Sequence, residues 1–380
     1  MIVFDNVISI FLVLESMEQR VIFHVDFDYF FAQCEELRNP DLKTKPVAVC
    51  VFSDRGGDSG AIATANYLAR KYGVKSGMPI RFAKQRLESV KDAVFLPTDF
   101  DYYSELSQKA MNVMKEFADV FEYVGKDEAY LDVSKRTEGN FVNAAHLAQQ
   151  LKNAIRYSVK LSCTIGISSN KLVSKIASGF KKPDGLTIVP PDKIEAFLDP
   201  LPIRSIPGIG KKTEEKFTEM GFQTISELKR LDVFSLNSQF GRKIGSYIYN
   251  GVRGIDEEPV APRQEATQYS RITTLREDSK AYDFLAKEFE RLCEDVHVAI
   301  LKDNLMFKSV GIQFVQSDLS NKTKSKTLKT STSSPDELKK IVSQLLQESL
   351  VDQKMLIRRI GVKVSDLSEI SGQDSITRYF

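Results

Sequence analysis

Two adjacent carboxylates constrain this chain more than any other feature. Asp127 and Glu128 stand at the head of Ala129-Tyr130-Leu131-Asp132-Val133, which alternates apolar and polar like a strand. The preceding run, Val120-Phe121-Glu122-Tyr123-Val124, reads as a second strand, so the pair sits at the tip of a β-hairpin. Neighbouring carboxylates repel at neutral pH, and a bound cation relieves that repulsion most simply. Much earlier, Val21-Ile22-Phe23-His24-Val25-Asp26-Phe27-Asp28 is another apolar strand that ends in acids. If the strand ends meet, three or four carboxylates converge. That is a donor set for a hard cation such as Mg²⁺, shared with substrate phosphates. Period-two alternation puts Asp26 and Asp28 on one face and does not rank them.

The neighbouring segments supply a sheet for this hairpin. Helical patterns at 29–38, 61–72, 101–117, 140–157 and 170–180 alternate with strand-like runs at 46–52 and 162–168, giving an α/β layer. The spacing predicts one helix over 61–72 (AIATANYLARKY), closed by Gly73, with Thr64, Tyr67 and Arg70 three apart on a shared face. At 203–229 the pattern changes. Ile206-Pro207-Gly208-Ile209-Gly210-Lys211-Lys212 between helices is a helix-hairpin-helix signature, whose glycines let backbone N–H groups face a phosphate. Residues 253–267 are polar, aperiodic and hold two prolines, as an interdomain linker does. Beyond them the order strand, helix, strand, strand, helix, strand is a βαββαβ module of the split ferredoxin-like kind.

With 380 residues the chain can hold two to four domains. Its formal net charge of +2 announces no polyanion. Residues 301–364, however, carry 12 Lys/Arg against 6 Asp/Glu. Alternation puts Lys322, Lys324 and Lys326 on one face, either solvated or against a duplex backbone. Cys34, Cys50, Cys163 and Cys293 form no CxxC pair, and the three histidines are scattered, which argues against a zinc site or a disulfide frame. The apolar stretch in Met1–Leu14 lacks a basic flank and is too short to cross a bilayer. Met17 looks like a better start, so residues 1–19 read as an extension outside the fold. In the C-terminal tail, Ile376, Tyr379 and Phe380 would share one face of a helical turn, as a binding anchor does.

Five separated stretches also resemble a known family. They are Asp26-Phe27-Asp28-Tyr29-Phe30-Phe31-Ala32-Gln33, the segment 63–74, Asp127-Glu128-Ala129-Tyr130-Leu131-Asp132, Asn170-Lys171 and Lys182-Pro183-Asp184-Gly185. In this order they resemble the Y-family translesion DNA polymerases of the DNA polymerase IV type, over about residues 20–366, with an archaeal look. The resemblance implies an α+β multidomain right hand. Its parts would be a palm with a ferredoxin-like sheet (20–29 and 98–189), small fingers (30–97) and a helical thumb with the helix-hairpin-helix (190–252). A linker (253–267), a βαββαβ little finger (268–366) and a flexible tail (367–380) would follow. It also implies low-fidelity, template-directed addition of dNTPs to a primer 3′-hydroxyl by a monomeric, cytoplasmic, nucleoid-associated enzyme.

The resemblance assigns roles as well. Asp26, Asp127 and Glu128, with the carbonyl of Phe27, would hold two Mg²⁺ ions, Mn²⁺ being a substitute. Tyr29, Phe30, Phe31, Thr64, Tyr67, Arg70 and Lys182 would bind the dNTP, Phe31 as the steric gate against a 2′-hydroxyl. Gly60 and Ala61 would roof the template base. Gly208, Gly210, Lys211, Lys322, Lys324, Lys326, Arg358 and Arg359 would contact primer-template DNA. Gln373, Ile376, Tyr379 and Phe380 match the consensus that holds the sliding clamp (PCNA). One departure stands out: the family has Ser and an apolar residue before Asp-Glu, and here Gly125-Lys126 stand there. The glycine is expected to loosen the tip, and the lysine to add a charge beside the metal site, altering rate or metal affinity. Two other classes compete: a non-catalytic clamp- and DNA-binding scaffold, and a nucleotidyl cyclase.

Overall fold

The computed structural model describes residues 19–262, 266–351 and 353–370. The first part of the chain runs β1 (Ile22–Phe27), α1 (Phe30–Arg38), β2 (Val47–Phe52), β3 (Gly60–Ala65), α2 (Tyr67–Lys71), α3 (Ile80–Arg86), β4 (Val94–Pro97), α4 (Phe100–Glu116), β5 (Val120–Tyr123), β6 (Glu128–Asp132), α5 (Phe141–Val159), β7 (Cys163–Ser168), α6 (Lys171–Phe180) and β8 (Leu186–Val189). Short helices follow: α7 (Ile194–Leu198), α8 (Lys211–Glu219), α9 (Ile225–Leu228), α10 (Val233–Phe240) and α11 (Arg242–Gly251). The last part holds β9 (Gln268–Ser279), α12 (Tyr282–Lys302), β10 (Leu305–Gln316), β11 (Asn321–Thr332), α13 (Pro335–Leu350), β12 (Ile357–Ser365) and β13 (Ser368–Glu369). By contacts the chain divides into two compact units. The described residues of Met1–Cys50, Ile62–Met78 and Gln85–Arg263 make one; those of Val51–Ala61, Pro79–Lys84 and Gln264–Phe380 make the other.

The first unit is built on a five-stranded sheet of order β5-β6-β1-β7-β8. β1 lies in the middle, antiparallel to both neighbours, with Asp26 opposite Glu128 on one side and Thr164 on the other. Phe23, Val25 and Phe27 on one face of β1 join a core with Tyr103, Met114, Leu151 and Ile155 from α4 and α5. The other face of β1 presents His24 and Asp26 beside α6. Burying a strand on both faces removes the sheet's tolerance for slippage, because a one-residue shift would drive Asp26 into the core.

The expected helix over 61–72 is two elements. Residues 60–65 form β3, and only Tyr67–Lys71 are helical. Asn66 makes the switch. Its side-chain oxygen accepts from Ala69 N and Val47 N, both at 3.0 Å, and its amide donates to Glu36 Oε1 at 3.0 Å and Lys45 O at 2.8 Å. An Asn that caps a helix also ends the strand before it. Gly60 shows why β3 starts where it does: its φ is +137°, and a Cβ there would stand 2.2 Å from Val51 O.

In the second unit β9–β12 form a sheet of order β11-β10-β12-β9, with α12 and α13 packed on one face. The βαββαβ pattern read from the sequence is present in these elements. The tail boundary at residue 367 is corrected: Leu367 packs on the core, Ser368–Glu369 pair with Leu305–Met306, and Ile370 N donates to Asn304 O at 2.9 Å. A two-residue strand is too short to leave a periodic signature. Residues 1–18 and the expected clamp motif at 373–380 lie outside the described residues.

Candidate active site

The hairpin tip and the end of β1 meet as the carboxylates required. Phe27 N donates to Asp127 O at 2.8 Å, and Glu128 opens β6 directly opposite Asp26. His24, Asp26 and Glu128 each offer a ligand atom, and these atoms lie within 4.8 Å of one another. Asp127 lines a cavity of about 260 Å³ together with Asp26.

Asp28, which periodicity did not separate from Asp26 and which the family resemblance left out of the ligand set, is used differently. It is fully buried and accepts from Ser162 Oγ and Thr164 Oγ1, both at 2.8 Å, and from Asp184 N at 2.9 Å. Those three donors tie β1 to β7 and to the loop before β8. Asp28 is thus a structural carboxylate, while Asp26 faces the cavity.

The carboxylates are too crowded to stand alone. Burial, then the charges of Asp26 and Glu128, raise the pKa of Asp127 above its usual range. Glu128 is held down at about 2, first by the His24 hydrogen bond and, against a desolvation penalty, by Lys175. His24 has its own pKa lowered, chiefly by burial, so a neutral imidazole faces a charged carboxylate. Side-chain ammonium groups stand where cations belong: Lys182 pairs with Asp26, and Lys175 Nζ lies 2.5 Å from Glu128 Oε2. An all-oxygen donor set that draws in two lysines fits hard divalent cations, with Asp26, Asp127 and Glu128 as the residues that would hold them.

The rest of the cavity is lined by aromatic, hydroxyl and cationic side chains. Its lining includes Tyr29, Phe31, Thr64, Arg70, Ser76 and Lys182. Thr64 reaches it from β3 and Arg70 from α2, so strand and helix, not one helical face, bring them together. Arg70 Nε donates to Ala65 O at 2.8 Å, its guanidinium lies 4.9 Å from the Tyr67 ring centroid, and it has no acidic partner among the described residues. The Tyr67 hydroxyl is buried without a hydrogen-bond partner. An orphaned donor beside a free guanidinium asks for an anion. Phe31 is stacked on Tyr103 with centroids 4.6 Å apart, a rigid wall of the cavity. Tyr29, in the left-handed region at φ 36°, donates to Glu36 Oε2 at 3.1 Å and meets Tyr67 edge-on at 5.2 Å. Phe30, nearly fully buried and stacked on Phe27, belongs to the core and also lines the cavity.

The other expected residues fall elsewhere. Gly60 and Ala61 share a cavity of about 420 Å³ with Ser59, Ile272, Arg358 and Arg359. Gly208, at φ +84°, makes the turn before α8; Gly210 caps that helix with no side-chain bond, and Lys211 begins it. Lys322, Lys324 and Lys326 do share a face, but it is the helix-covered one, opposite buried Phe314, Ile312 and Val310. Lys324 pairs with Glu348 at 2.6 Å, Lys326 donates to Gln344 at 2.8 Å, and Lys322 reaches Gln353 at 3.4 Å. Alternation found the shared face but could not say which face carries the helices.

Gly125 and Lys126 also read differently in place. A Cβ on Gly125 would meet Asp127 Oδ1 at 3.5 Å, an ordinary contact. Lys126 turns its amino group to Ser104 Oγ on α4, and its carbonyl accepts from Ser107 Oγ at 2.6 Å. Its charge therefore leaves the carboxylates, contrary to expectation. Conversely, His24 and Lys175 were missed. His24 precedes Asp26 by two and shares its strand face, a signal that was legible; nothing in the sequence placed Lys175 on Glu128.

Comparison with known proteins agrees with this geometry. The chain matches the impB/mucB/samB family over residues 25–179, that family's C-terminal domain over 266–377, and the thumb domain described for DNA polymerase-iota over 204–256. It is 68% identical over 364 residues to DNA polymerase IV of Nitrosopumilus maritimus, covering 96% of this chain and 100% of that one. DNA polymerase IV 1 of Methanosarcina mazei is 40% identical, again over 96% and 100%. Among solved structures, a Y-family DNA polymerase chimera of Dbh and Dpo4 superposes with a TM-score of 0.85 at 34% identity, over 92% of this chain and 99% of that one. An insertion ternary complex of Dbh DNA polymerase gives 0.66 at 34% identity, with the same coverage. No helix among the described residues is long and apolar enough to cross a membrane. With carboxylates, anion-seeking groups and chain-long similarity all in agreement, the chain belongs to the Y-family translesion DNA polymerases of the DNA polymerase IV type and is a DNA-directed DNA polymerase.

Proposed function

We propose that this polymerase adds dNTPs to a primer 3′-hydroxyl by two-metal nucleotidyl transfer at Asp26, Asp127 and Glu128. The observation that carries the reading is one cavity lined both by the carboxylates Asp26 and Asp127 and by Thr64, Arg70 and Lys182. Divalent cations, Mg²⁺ by the hardness of the donors, would supply charge neutralisation and a more acidic primer hydroxyl. The chain's own groups do the rest. Arg70 and Lys182 offer charged donors to the phosphates, and Thr64 and Tyr67 offer hydroxyls. Lys182 exchanges its Asp26 contact for phosphate as substrate enters. Phe31, backed by Tyr103, stands as the wall against a 2′-hydroxyl. Gly60 and Ala61 leave space over the template base, the small-residue basis for accepting damaged bases. Gly208, Gly210 and Lys211 present backbone N–H groups and charge to a duplex phosphate, and Arg358 and Arg359 hold the template strand.

The segment Gln373–Phe380 is proposed to tether the enzyme to the sliding clamp, on the strength of its sequence. Primer extension with Asp127→Asn protein tests the central claim. Synthesis should disappear while duplex binding, read by fluorescence anisotropy, persists; normal extension by that variant would sink the assignment. Deleting Gln373–Phe380 should remove clamp stimulation and leave basal synthesis.

A further inference from the structure

Two residues outside the carboxylate set grip the same oxygen of Glu128. His24 Nε2 lies 3.1 Å from Oε2, and Lys175 Nζ lies 2.5 Å from it. The His24 ring has no exposed surface; Nδ1 is 2.7 Å from Ser178 Oγ, and the ring packs on Tyr130 at 4.7 Å. Lys175, on α6, keeps about a third of its side chain in solvent (32%). The imidazole is therefore fixed on three sides, and the ammonium is free to swing.

A neutral N–H and an ammonium answer a cation on Glu128 in opposite ways. The ammonium is repelled, since it occupies the same negative potential that the cation seeks. The imidazole N–H is not expelled by charge and has no other acceptor to turn to. When the Ser178 hydroxyl donates to Nδ1, 2.7 Å away, rather than to Lys175 O, the ring proton sits on Nε2 and points at Oε2; Lys175 Nζ also stands 3.3 Å from Nε2 and competes for that edge of the ring. We propose that His24 is a positioning residue that orients the Glu128 carboxylate for a divalent cation, and that Lys175 competes with that cation for the same oxygen. The proposal rests on reading Glu128 as a metal ligand. It does not make His24 a ligand, because a nitrogen that donates its proton to Oε2 has no lone pair to give. The alternative proton placement, with Ser178 donating to Lys175 O at 2.8 Å, would leave Nε2 bare and able to ligate.

Mn²⁺ binding to the full chain without DNA, followed by electron paramagnetic resonance, separates these cases without reading activity. His24→Phe should weaken Mn²⁺ binding by about 10–100-fold, and His24→Gln, which restores a donor, should recover most of it. Lys175→Met should tighten binding. In primer extension, His24→Phe should raise the Mg²⁺ concentration for half-maximal rate more than it lowers the rate at saturating Mg²⁺. Unchanged Mn²⁺ affinity in His24→Phe, or weaker binding in Lys175→Met, would overturn the proposal. So would nitrogen hyperfine coupling to bound Mn²⁺ that vanishes in His24→Phe, since His24 would then be a ligand. Glu128→Gln is the control: if it binds Mn²⁺ as well as the parent, the ligand reading itself fails.

Discussion

The cavity at the end of β1 and the outer strand β11 both concentrate charge of one sign. In the cavity, Asp26, Asp127 and Glu128 converge on half-buried ground, and burial with the charges of Asp26 and Glu128 raises the cost of ionising Asp127. On β11, Lys322, Lys324 and Lys326 alternate along an exposed strand, each with an acceptor on or near α13. Solvent screens all three lysines; among the described residues only Lys324 has an anionic partner, Glu348, and the acceptors of Lys322 and Lys326 are neutral amides. In the cavity Lys182 and Lys175 relieve Asp26 and Glu128, but burial and like charge still raise the pKa of Asp127, and that deficit is what a cation would fill. A count of charges finds both regions, and burial tells them apart.

The sharpest break of this contrast is within the acidic strand itself. Asp26→Asn should lower the rate of nucleotide addition by at least about 10³-fold while leaving melting temperature nearly unchanged, because the repulsion it removes from Asp127 offsets the Lys182 pair it breaks. Asp28→Ala, two residues away, should do the reverse. It leaves the Ser162 and Thr164 hydroxyls and Asp184 N without their acceptor, and should cost roughly 2–4 kcal/mol in denaturant unfolding. If Asp28→Ala proved as stable as the parent, the division of labour between the two aspartates would be wrong. Next in size, Phe31→Ala should relax discrimination against ribonucleotides by roughly 10–200-fold in kcat/KM ratios, and unchanged sugar selectivity would remove Phe31 from the gate.

The smallest effects belong to the basic strand. Lys324→Ala should change stability by under about 0.5 kcal/mol and barely alter the salt dependence of duplex binding. Arg359, on the sheet face away from the helices, should matter more: Arg359→Ala should reduce the slope of log affinity against log salt by about one. An equal loss from both variants would mean that the lysine-bearing face also meets DNA.

The sequence alone determined the carboxylate hairpin, the acidic strand that answers it, the βαββαβ order of the last part and the glycine turn before α8. All of these are local: a period of two or 3.6, a cap, a turn residue. It misread 61–72, because AIATA suits either state and the deciding event is one Asn66 side chain bonding to β2, α1 and α2 at once. Periodicity left Asp26 and Asp28 equal and the family resemblance favoured Asp26; only the tertiary structure gave the physical reason, because Asp28 is taken up by Ser162, Thr164 and Asp184, more than 130 residues away. Only it turned Lys126 toward Ser104, and only it put the lysines of β11 on the helix side. The reason is common to all three: periodicity fixes which residues share a face, but what covers that face is set by contacts distant in the chain.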